Sequence, residues 1–217
     1  MSDQRAALAV VEPALPDSYI DEYAVATIKR SVRESIAVKQ ELLDDVFVEA
    51  LAQLSAAVAV ALREGGKVIF FGNGGSAADA THIAAEFVGR FVLERAPMPA
   101  LSLSDNVSSV TAIGNDYSFD LTFARQMTAF GREGDVAIAL STSGGSSNVL
   151  AAMRVARKRG LFTGAFTGAK GKELARLVDI PLVFPSASTA RIQEGYMLYA
   201  HVMCELVEQE LFGPLAD

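Results

Sequence analysis

The chain has only two histidines, and each is spaced from another polar residue so that both could act together. His82 lies in D-A-T-H-I-A-A-E-F, four residues before Glu86, and His201 follows Gln193 by eight residues in R-I-Q-E-G-Y-M-L-Y-A-H. On an α-helix, residues four apart share a face, and residues eight apart differ by only about 80° of rotation. Each segment can therefore aim two polar groups the same way. Imidazole nitrogen, carboxylate and carboxamide oxygen are all ligands for a divalent metal, and imidazole and carboxylate are also general acids and bases. Taken singly, a histidine is usually a satisfied structural residue and a helix glutamate a solvated one. With Ile83, Ala84, Ala85 and Phe87 around His82 and Glu86, a wet helix face is hard to draw there. Glu194, beside Gln193, is an equally placed carboxylate.

Two loops rich in glycine and serine are set to bring a ligand to these residues. Gly72-Asn73-Gly74-Gly75-Ser76 follows the apolar run Lys67–Phe71 and opens the helix that carries His82. Ser141-Thr142-Ser143-Gly144-Gly145-Ser146-Ser147 follows the run Val136–Leu140 and opens a second helix. Glycine lets backbone approach a ligand, and a helix start offers free N–H groups at the positive end of its dipole. The second loop is a dense set of hydroxyl and N–H donors suited to a phosphate dianion. It lacks the Gly-Lys-Ser/Thr ending of a nucleotide-binding P-loop, and the first loop lacks a dinucleotide fingerprint. On composition alone, either loop is also an ordinary strand-to-helix turn, and Asn115-Asp116 in I-G-N-D-Y reads as a turn.

Apolar periodicity supplies the elements that must position these groups. Residues 1–16 hold Pro13 and Pro16 and read as a loose tail. From 17 to 64 the pattern is helical, with one stripe of Ile20, Tyr23, Ala24, Ile28 and Val32 and another of Val46, Leu51, Leu54, Val58 and Leu62. Two such helices ahead of a small sheet point to partner subunits as packing surfaces. From 65 to 217, five short runs (67–71, 100–103, 136–140, 162–166, 180–184) read as strands. Helices are expected from Ser76 to Phe91, Val107 to Ile113, Phe119 to Phe130, after Ser147 to Arg159, and Ala190 to Leu211. Pro181 should stand at a strand start or sheet edge. Strands alternating with helices give an α/β class: an open parallel-sheet sandwich with an N-terminal helical extension.

Composition limits the function. The net charge of −7 argues against broad nucleic-acid binding, which needs clustered Lys and Arg. One cysteine, Cys204, leaves no internal disulfide; in V-M-C-E-L-V it reads as a buried, inert thiol and fits a reducing cytoplasm. The start has no secretory signal pattern, and no uninterrupted apolar stretch reaches the roughly 18 residues of a membrane span.

Taken together, G-N-G-G-S-A-A-D-A-T-H-I-A-A-E-F-V-G-R-F, A-I-G-N-D, G-R-E-G-D-V, S-T-S-G and R-I-Q-E closely resemble the phosphoheptose (sedoheptulose 7-phosphate) isomerases, within the flavodoxin-like sugar isomerase (SIS) fold. The resemblance covers residues from about 20 to 211. It implies a cytoplasmic homotetramer with active sites between subunits, converting D-sedoheptulose 7-phosphate to D-glycero-D-manno-heptose 7-phosphate. It implies a zinc ion on His82, Glu86, Gln193 and His201, and Glu86 with His201 as the acid–base pair. Substrate contacts are implied at Asn73, Gly74, Gly75, Glu86, Asn115, Asp116, Ser141, Thr142, Ser143, Ser146 and Gln193. The chain departs from common family residues at Gly145, Ala190 and Tyr196. A non-catalytic alternative is a tetramer of the same fold that binds the replication initiator protein; the intact set of four implied ligands favours the enzyme.

Overall fold

A computed structural model describes residues 21–213. The tail expected over 1–16, and Ile20 of the first stripe, lie outside the described residues. In chain order the elements are α1 (Glu22–Glu41), α2 (Asp45–Arg63), β1 (Val68–Gly72), α3 (Gly75–Val88), β2 (Ala100–Ser102), α4 (Val107–Asp116), a 3-10 turn (Phe119–Leu121), α5 (Thr122–Phe130), β3 (Val136–Ser141), α6 (Ser147–Lys158), β4 (Phe162–Gly168), α7 (Lys172–Leu177), β5 (Ile180–Phe184) and α8 (Thr189–Phe212). Asp21 and Asp44 cap α1 and α2, each accepting a backbone N–H from the first turn.

All strand pairs are parallel, in the order β2-β1-β3-β4-β5. This is the flavodoxin-like order, and its direction reverses between β1 and β3. Alternate strand residues feed opposite faces. Val68, Phe70, Ile138 and Leu140 pack with apolar residues of α2, α3 and α8; Ile69, Phe71, Ala137 and Ala139 pack with α5, α6 and α7. Both faces are covered, as the run-like strands require. Pro181 lies in β5, an edge strand, where its missing N–H costs no ladder bond.

The Asp135 carboxylate of G-R-E-G-D-V sits just before β3, at the amino ends of the strands. It accepts Lys67 N–H at 3.0 Å, Arg132 N–H at 2.8 Å and the Lys67 ammonium at 2.6 Å. This motif therefore locks β1 to β3 at the end of the sheet opposite the Gly-rich and Ser-rich loops.

Several expectations need correction. The helix after Ser76 stops at Val88, because the chain turns at Gly89 into a segment held by other contacts. Helix α4 runs through Asp116, so Asn115 and Asp116 close a helix instead of forming a turn. Helix α7, only six residues long, was not anticipated. In α2, Leu51, Leu54 and Val58 are buried but Val46 is 74% exposed; in α1, Val38 is the buried residue, while Tyr23, Ile28 and Val32 are exposed. Helix α2 is also long and apolar enough on average to cross a membrane, with a mean hydropathy of 1.7. Glu49 and Gln53 interrupt its apolar run, and its Leu51–Leu54–Val58 side packs into the core beneath the sheet.

Leu54 is fully buried between α2 and the sheet. Leu54→Ala is expected to destabilise the fold by about 2–5 kcal/mol, read from urea unfolding of the two proteins.

Candidate functional site

The carboxyl ends of β1 and β3 carry the two ligand-type loops at the point where strand order reverses, the usual ligand position in open α/β sheets. Side chains join them directly. Asn73 Nδ2 donates to Asn148 Oδ1 at 2.8 Å, and Asn148 Nδ2 donates back to Asn73 Oδ1 at 2.9 Å. Ser104 Oγ donates to the Gly72 carbonyl at 2.9 Å and accepts the Gly72 N–H at 3.2 Å.

The serine loop is shaped by Gly144, whose φ of +62° and close approach to Gly171 leave no room for a side chain. Gly144 N–H donates to the Ser141 carbonyl at 3.1 Å, and Thr167 Oγ1 donates to the same carbonyl at 2.7 Å. Ser141 is buried, whereas Ser143 is exposed and Thr142 and Ser146 are half-buried. Ser146 stands at the N-cap of α6, yet its hydroxyl makes no capping bond among the described residues.

Helices α3 and α8 bring the two histidines together. His82 Nε2 lies 3.1 Å from His201 Nε2 and 3.2 Å from Glu86 Oε1. Ligand atoms of all three residues fall within 4.8 Å of one another, so the group could hold a metal ion. Two imidazole nitrogens and a carboxylate oxygen are donors that suit a divalent metal such as zinc. The ring of Phe91 stacks on His201 with centroids 5.4 Å apart and planes 14° apart.

Gln193 stands on the same helix as His201, and its carboxamide lies against Gly75, where an added Cβ would come within 2.4 Å of Nε2. It is thereby at the start of α3, on the Gly-loop side of the site. Asn115 and Asp116 are exposed at the end of α4, where Asn115 Nδ2 donates to Asp116 Oδ1 at 2.8 Å; among the described residues they make no side-chain hydrogen bond to the histidine cluster. Glu194 turns away from the site: it accepts from Arg191, three residues back on α8, at 2.5 Å, and faces Ser35 and Lys39 of α1.

Tyr196, one of the departures from common family residues, is fully buried; it donates to Asp79 Oδ2 at 2.7 Å and contacts Ser76 Oγ at 3.0 Å. Burial, and after it the Asp79 carboxylate, push its hydroxyl well above the ordinary phenol value. It therefore stays a protonated donor. Cys204 is buried and free, and burial, then the charges of Glu86 and Glu208, push its thiol up, so it is inert as expected.

Sequence reasoning missed Asn148, Ser104, Asp79 and the fully buried Glu208. Only Asn148 carried a local signal, as an amide in the first turn after the serine loop. Glu208 accepts the N–H groups of Phe91, Val92 and Leu93 at 2.8, 2.9 and 2.9 Å and Arg95 Nε at 2.9 Å.

The SIS domain family matches residues 33–168. A phosphoheptose isomerase from Clostridium acetobutylicum is 44% identical over 88% of this chain and 97% of its own. One from Rhodospirillum rubrum is 50% identical over 75% of this chain and 86% of its own. The chain belongs to the phosphoheptose isomerase family. The solved phosphoheptose isomerase from Neisseria gonorrhoeae superposes with a TM-score of 0.80 at 40% identity, covering 85% of this chain and 98% of that one. The fold is thus the SIS fold, as the sequence motifs imply.

The buried carboxylate also sets an acid dependence. Burial alone would raise Glu208, but the N–H groups of Leu93, Phe91 and Val92 and the Arg95 guanidinium outweigh it and hold the group below its usual range. A carboxyl depressed on folding contributes stability above its unfolded value of about 4.3 and loses it as pH falls through the folded value. The melting temperature of the wild type is therefore expected to drop more steeply below about pH 4.3 than that of Glu208→Gln, measured by thermal scans across the acid range.

Proposed function

We propose that the protein is a sugar-phosphate aldose–ketose isomerase that converts D-sedoheptulose 7-phosphate to D-glycero-D-manno-heptose 7-phosphate in heptose biosynthesis. The observation that carries this reading is the meeting of Glu86 and His82 on α3 with His201 on α8, next to paired loops at the sheet's switch point. The phosphoheptose isomerases that align over most of this chain support the choice of substrate.

Ketose-to-aldose exchange removes a proton from C1 and protonates O2 to form a 1,2-enediol, then places a proton on C2 while O1 gives up its proton and becomes the carbonyl oxygen. Glu86 and His201 are the acid–base pair that shares these transfers, each within reach of one small volume. His82 serves as a ligand only. Zinc held by His82, Glu86, Gln193 and His201 would, when bound, polarise the carbonyl and stabilise negative charge on the enediol oxygens. Ser141, Thr142, Ser143 and Ser146 grip the phosphate, with the Ser146 hydroxyl at the start of α6 as one donor. Asn73, Gly74, Gly75, Asn115, Asp116 and Gln193 line the sugar. Along α3, His82 follows Ser76 by about 9 Å of helix rise, so a phosphate anchored at the loops can leave the far end of an extended sugar at the acid–base pair.

The working assembly in this reading is a cytoplasmic homotetramer in which the helices of 17–64 make the subunit contacts and 65–217 form the isomerase domain. Support comes from exposed apolar side chains along α1 and α2, including Tyr23, Ile28, Val32, Leu43 and Val46. The exposed face of His82 fits a site that a neighbouring subunit closes over.

Purified protein is expected to isomerise sedoheptulose 7-phosphate, with Glu86→Gln and His201→Gln each lowering kcat by about 10²–10⁴-fold at unchanged tetramer mass in light scattering. A folded tetramer without turnover would overturn the isomerase reading; undiminished kcat in either variant would overturn the acid–base pair. Removal of metal by a strong chelator is expected to abolish activity and zinc to restore it. Full activity in metal-free protein would exclude the zinc role.

A further inference from the structure

Behind the reacting groups lies a buried ion pair to which the proposed chemistry assigns no task. Glu208 follows His201 by seven residues on α8, almost two full turns, so both project from one face of that helix. The Glu208 carboxylate gathers three successive backbone N–H groups of the segment after α3, an anion-binding arrangement, and a fourth bond from Arg95. The Arg95 side chain is 1% exposed. Its guanidinium donates onward to the carbonyls of Glu86 at 2.8 Å, Phe87 at 2.7 Å, Gly89 at 3.1 Å and Ala96 at 3.1 Å.

Those carbonyls belong largely to the unpaired C-terminal end of α3, where a cation is also favoured by the helix dipole. One charged unit thus ties the last turn of α3, which carries Glu86, to α8, which carries His201. The same unit fixes the segment that sets the Phe91 ring nearly parallel to the His201 ring in an offset stack. A buried ion pair gives little net stability over well-packed apolar residues, so its worth here lies in the geometry it enforces.

We propose that Glu208 and Arg95 are positioning residues for the acid–base pair, orienting Glu86 through the end of α3 and fixing the His201 ring through Phe91. This rests on the isomerase reading above. Neither residue needs to touch substrate. Their loss slows the proton transfers while leaving the grip on the phosphate, which lies at the other end of α3.

The test is steady-state turnover of sedoheptulose 7-phosphate by the full-length wild type and three variants, with melting temperatures alongside. Glu208→Gln is expected to lose about 10–100-fold in kcat, the usual effect of removing a residue that orients a ligand, with KM within about twofold. Phe91→Leu is expected to lose at least about threefold in kcat with little change in melting temperature, and Phe91→Tyr, which keeps the stacked ring, to stay within about twofold of wild type. If Glu208→Gln does not fold, the Phe91 pair decides. Wild-type kcat in Phe91→Leu, wild-type kcat in folded Glu208→Gln, or a loss carried by KM alone would overturn the positioning role. An inactive wild type would instead remove the isomerase reading, and this inference with it.

Discussion

Helices α3 and α8 must be held in one register against the sheet, because ring nitrogens 119 residues apart in sequence meet at 3.1 Å. Neither helix contains the site alone. The packing that sets their register runs along most of their length. Gln193 lies against Gly75 at the start of α3, Tyr196 reaches Ser76 and Asp79, His201 faces His82 and Glu86, and Glu208 holds the segment that leaves the helix. These contacts follow one another along α8 at intervals of three to seven residues, which keeps them on adjoining faces. Close-packed interiors deform little, so this series fixes the His82–Glu86–His201 cluster more tightly than any one contact could.

The sheet divides the labour between its two ends. At the amino ends, Asp135 clasps β1 and β3 through Lys67. At the carboxyl ends, the same two strands release the Gly-rich and Ser-rich loops, linked by the Asn73–Asn148 amide pair. Hydroxyl and N–H donors collect there without a lysine or arginine in either loop. Backbone N–H groups and hydroxyls can bind a small phosphate ester in that way even in a chain with a net charge of −7.

Much of this was legible in sequence because it is local. Strand runs followed by Gly/Ser loops and helices gave the parallel α/β order, and the four-residue spacing of His82 and Glu86 placed them on one face. What escaped was set by distance in the chain. F-V-G-R-F continues a helical pattern past Val88, and only Glu208, more than a hundred residues on, explains why the backbone N–H groups of Phe91, Val92 and Leu93 leave the helix. Asn115 and Asp116 looked like a turn because glycine precedes them, yet α4 continues through both. The stripes on α1 were visible as periodicity, but a period does not say which surface buries it: most of the α1 stripe faces outward in the single chain.

Solvent exchange reports on the proton transfer through an enediol proposed for Glu86 and His201. Turnover of sedoheptulose 7-phosphate by the wild type in deuterated water, followed by NMR of the product, is predicted to give the aldose with solvent-derived deuterium at C2. Product with only protium at C2, carried over from C1 without exchange, or no product from folded protein, would rule that proton transfer out.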